Sequence, residues 1–280
     1  TTTKIEPQVA IVRTIARETM LASRRRGRSR ITSCCGGNDA MAMAASVSMM
    51  MLTHSSCNAV NGAARSVDVK ENADGTVTYT FRLRGGKWSD GVDVKAGDFV
   101  YAWQRLADPA AGSAYAPLLS IISGYDEARA SGDMSLLGVA AKNNSTFVVT
   151  LNGQYDWFLR EVCTSIATMP LRQDVVTRLK QEADAANDNL KEDEMPRRWW
   201  SDPTRLVTNG PYTASAEDEN ALTLTENTAY GKKLTGPEDL TFRFGDTQTA
   251  EVLYDQGVVD AVWPLTEEEM AEQMEADETW

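Results

Sequence analysis

One run limits the folds open to this chain more than any other: YTFRLRGGKWSDGVDVKAGDFVYAWQRLADP, residues 79–109. From Val77 onward, Val77, Tyr79, Phe81 and Leu83 alternate with Thr78, Thr80, Arg82 and Arg84. That is the period of a strand with one face buried. Farther on, Phe99, Ala102, Trp103 and Leu106 recur at spacings of three and four, which puts them on one face of a helix. Pro109 forbids its continuation. Between the two lies Trp88-Ser89-Asp90-Gly91, where Asp-Gly supplies turn geometry. The run therefore predicts strand, turn and helix, with Trp88 packed on the helix that carries Phe99 and Trp103. The Ser89-Asp90 pair reads as turn architecture.

The same logic extends along the body. Asp74-Gly75 predicts a hairpin before the first strand. Strands are expected at 146–152, 221–227, 239–245 and 258–265, and helices at 156–163, from 174 onward and at 246–257, the last closed by Gly257. Strands and helices are mixed throughout, so the class is α/β or α+β. "GGKWSDG" lacks the strand–loop–Lys–Ser/Thr order of a phosphate-binding loop.

Charge and composition narrow the functions. The 280 residues carry a net charge of −12, unevenly placed. Residues 1–65 are basic and the remainder is strongly acidic, which argues against nucleic-acid binding by the body, since phosphate contacts need clustered Lys and Arg. The cysteines Cys34, Cys35, Cys57 and Cys163 show no zinc-ligand spacing, so no metal is expected. The single histidine, His54, leaves the body without imidazole, which removes the usual serine-type triad. An enzyme reading would have to use Ser89-Asp90 or the carboxylates of Asp90, Asp93 and Asp98 as acid–base groups.

Beyond these patterns, residues 79–119 resemble the family 5 extracellular solute-binding proteins, the oligopeptide- and dipeptide-binding receptors of ABC importers. The resemblance rests on Trp88-Ser89-Asp90-Gly91, Asp98-Phe99-Val100-Tyr101, Trp103, Arg105, Asp108-Pro109, Ser113 and Tyr115-Ala116 in register. It continues through 137–151, through Asn209-Gly210-Pro211-Tyr212 and through 249–265. Where the family has a Pro-Val-Thr-Ala lead into the helix, this chain has Asp93-Val94-Lys95-Ala96, so the helix N-terminus is either capped less well or capped by Asp98 within the first turn. The resemblance implies α/β, periplasmic-binding-protein-like (type II) lobes in truncated form. A small lobe is expected at 66–168 and part of a main lobe at 169–280, with the third lobe absent. It implies an oligopeptide ligand held by strand-like hydrogen bonds, delivery to ABC permease subunits, no cofactor and no catalytic residue. The implied location is periplasmic or extracellular, at the cell envelope, with membrane contact only through a lipid anchor or the permease. Two residues are implied to meet ligand. Tyr115 matches a tyrosine near the family's cleft, its alternative being packing under the following helix. Trp263 lies on the segment leading back to the cleft, its alternative being a core or hinge aromatic. A further alternative is a fragment of such a receptor that does not bind.

Residues 1–65 do not share this text and stay unassigned. A basic run at 23–30, an apolar run at 40–52 and Cys57 imitate a displaced lipoprotein signal, although His54 stands where an aliphatic residue is usual. A disordered segment and a frame disruption near residue 65 are the other readings. Frame disruption predicts that the encoding DNA, translated in its other frames before codon 66, yields the missing lobe strands; their absence from every frame removes that explanation.

Overall fold

The computed structural model describes residues 9–15, 54–55, 58–59, 62–188, 190–191, 195–218, 221–232, 236–245, 252–254 and 256–263. The strands are β1 (Val9–Ile15), β2 (His54–Ser55), β3 (Asn58–Ala59), β4 (Ala64–Glu71), β5 (Val77–Leu83), β6 (Val139–Asn143), β7 (Thr146–Leu151), β8 (Tyr212–Asp218), β9 (Ala221–Glu226), β10 (Asp239–Gly245) and β11 (Ala261–Trp263). The α-helices are α1 (Ala96–Ala107), α2 (Tyr125–Ser131) and α3 (Gln173–Asn187).

β4, β5, β7 and β6 form a four-stranded antiparallel sheet in that order. Its first hairpin turns where Asp74-Gly75 predicted. Gly75 has φ 85°, and the Asp74 carboxylate accepts from the Thr76 amide at 3.0 Å and hydroxyl at 2.7 Å. Val77, Tyr79, Phe81 and Leu83 all face inward on β5. Phe81 sits opposite Phe147 of β7, and Tyr79 opposite Val149. α1 lies over this face through Phe99, Ala102, Trp103 and Leu106, the face its periodicity predicted.

Rings fill the space between sheet and helix. Trp103 meets Phe147 edge-on at 5.2 Å, Phe99 lies 5.6 Å from Phe147, and Phe158 lies 4.7 Å from Tyr79. Such pairs contribute beyond the area they bury. The Trp103 indole N–H, fully enclosed, donates to the Thr168 carbonyl at 2.9 Å, which removes the penalty of an unpaired buried donor. The expected helix at 156–163 is a single wide turn at Phe158–Val162, closed by the Cys163 amide donating to the Phe158 carbonyl at 3.1 Å. Cys163 is free and fully buried, and burial pushes its thiol far above the ordinary range.

The second sheet has five strands in the order β11–β1–β10–β9–β8. Tyr212, Leu222 and Leu224 form its buried face, with Ala214, Leu240, Phe242 and Phe244 packed against them. β1 departs from the sequence reading, which left 1–65 unassigned. Val9–Ile15 runs antiparallel between β10 and β11, with Val12 opposite both Phe242 and Ala261. β4 likewise starts at Ala64, two positions before the expected lobe boundary at 66. The apolar run at 40–52 and Cys57 lie outside the described residues. So does much of the helix expected at 246–257, although Gly257 has the φ of 68° of a helix-closing glycine.

Two outcomes test this packing. Trp103→Ala should cost about 3–5 kcal/mol in chemical denaturation, the range for removing a large buried ring. Cys163 should resist a thiol reagent in the folded chain and react at once in denaturant, because only the exposed thiolate attacks.

Candidate functional site

Three segments converge at the turn singled out by the sequence. Gly86 to Val94 forms a tight hairpin. Its Trp88 amide donates to the Val92 carbonyl at 2.8 Å, its Val94 amide to the Gly86 carbonyl at 2.9 Å, and Lys87 pairs with Asp93 at 2.8 Å. Gly91, at φ 85°, makes the reversal. Trp88 is buried, and its indole donates at 3.0 Å to Asp98 in the first turn of α1. The same carboxylate accepts the Lys95 amide at 2.9 Å, so Asp98 caps the helix as the sequence suggested. Burial raises the Asp98 pKa, while these two donors and Arg172 oppose the shift.

The tip of the hairpin reaches away from its own sheet. The Ser89 amide donates to the Thr208 carbonyl at 2.7 Å, and the Thr208 amide donates back to the Ser89 hydroxyl at 3.2 Å. Asp90 receives Arg172 Nη1 at 3.1–3.2 Å, and the rest of that guanidinium grips Asp174 at 2.6 and 2.7 Å. The Arg172 side chain is only 10% exposed. Its two carboxylate partners raise its pKa further, and in return Arg172 lowers that of Asp174. Ser89 and Asp90 thus clasp the four-stranded body to the segments that lead into the five-stranded one. Sequence reasoning missed Thr208 and Arg172, which lie 119 and 82 positions from their partners.

Thr208 opens the Asn209-Gly210-Pro211 turn. There the Asn227 side chain donates to the Gly210 carbonyl at 2.7 Å and the Asn227 amide to the Pro211 carbonyl at 2.8 Å. Trp199 and Trp200 meet edge-on at 5.4 Å, with Arg105 of α1 5.5 Å from the Trp199 ring. Trp199 thus packs its loop against α1, while Trp200 remains 41% exposed.

The two residues singled out for ligand lie on different parts of the fold. Tyr115 stands just before the short helical turn Ala116–Leu119 and is 54% exposed. Its amide donates to the Ser113 hydroxyl at 3.2 Å, and Leu119, fully buried, anchors the turn beneath it. The ring is therefore not packed under the following helix. Trp263 lies at the end of β11, an edge strand, with its backbone opposite Ala10 of β1.

The profile of bacterial extracellular solute-binding proteins, family 5 (middle), matches residues 58–279. The chain belongs to this family. It is 30% identical over 213 residues to the dipeptide-binding protein of Lactococcus lactis subsp. cremoris, covering 72% of this chain and 35% of that one. It is 37% identical over 147 residues to the periplasmic oligopeptide-binding protein OppA of Salmonella typhimurium, covering 51% and 23%. Among solved structures, Haemophilus influenzae OppA in complex with RPPGFSPFR superposes with a TM-score of 0.68 at 27% identity, over 86% of this chain and 45% of that one. The chain thus spans between 23% and 35% of the length of these two curated relatives. The solute-binding protein has the periplasmic-binding-protein-like (type II) fold of its structural neighbours. Among the described residues, no helix is long and apolar enough to cross a membrane, and no group of three or more His, Cys, Asp or Glu is placed to hold a metal.

The clasp yields a pH-dependent outcome. Asp174 is held below its ordinary value of 3.8 by Arg172, so its contribution is complete above 3.8 and is lost as the pH falls through the lowered value. Asp174→Asn should flatten the acid limb of a stability–pH profile below about pH 4. Asp90→Asn should lower the unfolding midpoint and speed hydrogen exchange at the Thr208 amide, read by mass spectrometry.

Proposed function

We propose that this solute-binding protein is the extracytoplasmic receptor component of an ABC importer, binding oligopeptides and passing them to the permease subunits. Membership of the family carries this reading, and the names of the relatives, dipeptide- and oligopeptide-binding proteins, supply the ligand class. The geometry supports it from two sides. Tyr115 presents a large aromatic surface to solvent beside a turn anchored by the buried Leu119, where it is open to a ligand. The carboxylates that a hydrolase would need are engaged elsewhere: Asp90 with Arg172, Asp93 with Lys87, and Asp98 with the helix cap and the Trp88 indole. We assign no catalytic residue and no cofactor. Tyr115, and Trp263 at the end of β11, are the proposed peptide contacts from this chain. The location that follows is the cell envelope, outside the cytoplasmic membrane.

Isothermal titration of the chain with a mixture of tri- to pentapeptides tests the reading. Heat with chemically unaltered peptide is the expected result. Cleaved peptide would establish a hydrolase instead, and no heat a chain that does not bind. Tyr115→Ala should weaken binding about 3- to 10-fold, in keeping with one aromatic contact, without moving the unfolding midpoint.

A further inference from the structure

An asparagine followed by glycine carries a reactive pair of atoms. Glycine has no Cβ to shield its nitrogen, and that nitrogen can close a five-membered ring on the asparagine side-chain carbon. Among the described residues the pair occurs at Asn152-Gly153 and at Asn209-Gly210. The fold treats the two differently. Asn209 is only 5% exposed, and the Gly210 amide donates to the Thr208 hydroxyl at 3.1 Å. A nitrogen held in that bond is not free to turn on its neighbour. Asp74-Gly75 and Asp90-Gly91 have the atoms for the same ring, but their glycine amides donate to the Asn72 carbonyl at 3.1 Å and the Trp88 carbonyl at 2.8 Å.

Asn152 is exposed, in a bend directly after β7. The Gly153 amide donates to no described residue, so the attacking nitrogen is unheld. The Asn152 side chain, by contrast, is gripped at both ends. Its Nδ2 donates to the Ser120 carbonyl at 3.3 Å, and its Oδ1 accepts the Tyr155 hydroxyl at 2.8 Å. Tyr155 is itself placed by Trp157, whose ring it meets edge-on at 5.7 Å. The hydroxyl therefore aims a proton at the oxygen on which charge develops when the side-chain carbon is attacked.

We propose that Asn152 is a self-modification site, at which the Gly153 nitrogen displaces the side-chain amide and the Tyr155 hydroxyl stabilises the oxyanion. The Gly153 nitrogen gives its proton to solvent base and bonds to Asn152 Cγ, and the carbonyl pair moves onto Oδ1. The intermediate collapses, Nδ2 takes up a proton and leaves as ammonia, and a succinimide remains. Water then opens the ring by breaking one of its two C–N bonds, which yields aspartate or isoaspartate. One water enters, one ammonia departs, and nothing is oxidised or reduced. Either product loses the donor to the Ser120 carbonyl. The isoaspartate also lengthens the main chain by a methylene directly after the fully buried Leu151, at the residue whose amide donates to the Ile121 carbonyl at 2.9 Å.

The test is incubation of the full folded chain in mildly alkaline buffer, followed by peptide mapping with mass spectrometry and by isoaspartyl methyltransferase labelling. Asn152 should convert at least about tenfold faster than Asn209, with isoaspartate among the products, since only the unheld nitrogen can reach its target. In denaturant that preference should vanish. Tyr155→Phe keeps the ring and should slow conversion about 2- to 10-fold, the worth of one hydrogen bond. Gly153→Ala should slow it at least about 10-fold by hindering the nitrogen. Alanine fits there, because Gly153 has no positive φ and the added Cβ would stand 3.5 Å from the Tyr155 ring. Unfolding midpoints report the folding of both variants, and if either fails to fold, the contrast between Asn152 and Asn209 in the unaltered chain decides alone. Equal conversion of the two asparagines in the folded chain, aspartate without isoaspartate, or undiminished conversion in a folded Tyr155→Phe overturns the proposal.

Discussion

The hairpin from Gly86 to Val94 is the part on which the rest of the arrangement depends. It is held on two sides by different chemistry. Toward its own helix, the buried Trp88 indole and the Lys95 amide share the Asp98 carboxylate. Toward the five-stranded body, Ser89 exchanges two hydrogen bonds with Thr208, and Asp90 meets a guanidinium that also grips Asp174. Exposed ion pairs contribute little, but Arg172 is nearly enclosed and fully satisfied by two carboxylates, so removing one partner leaves a poorly solvated charge. Backbone pairing at Ser89 and charge pairing at Asp90 act on adjacent residues, which fixes both the position and the direction of approach.

Behind the hairpin, an aromatic core makes the first body rigid enough to transmit that constraint. Phe81, Phe99, Trp103, Phe147 and Phe158 are all essentially inaccessible and contact one another edge to face or offset. The one polar atom among these rings, the Trp103 indole nitrogen, is answered by the Thr168 carbonyl. From this stiff platform a few side chains, such as Tyr115, reach solvent. The carboxylates near the turn are each committed to holding a neighbour in place.

What the sequence disclosed was local. Alternation from Val77 to Leu83, the three–four spacing in α1, the Asp74-Gly75 and Asp90-Gly91 turns and the Asp98 cap all involve residues within a few positions of one another. Their physics is written in short spacings, so they could be read directly. Family membership was legible for the related reason that these local devices occur in a long fixed order. The two candidate ligand residues, Tyr115 and Trp263, came from that order and not from any local pattern.

Partnerships across the chain were decided by tertiary structure. Ser89 and Asp90 read correctly as a turn, yet nothing near them names Thr208 or Arg172 as their partners. Val9–Ile15 carries too few cues to assign, and becomes a strand because β10 and β11 flank it with unpaired backbone on both sides. Sequence alone determined the strand, turn and helix of the 77–107 run, since backbone sterics and hydrophobic period act over a few residues. Which segments meet across the chain depended on packing between surfaces that no short stretch contains.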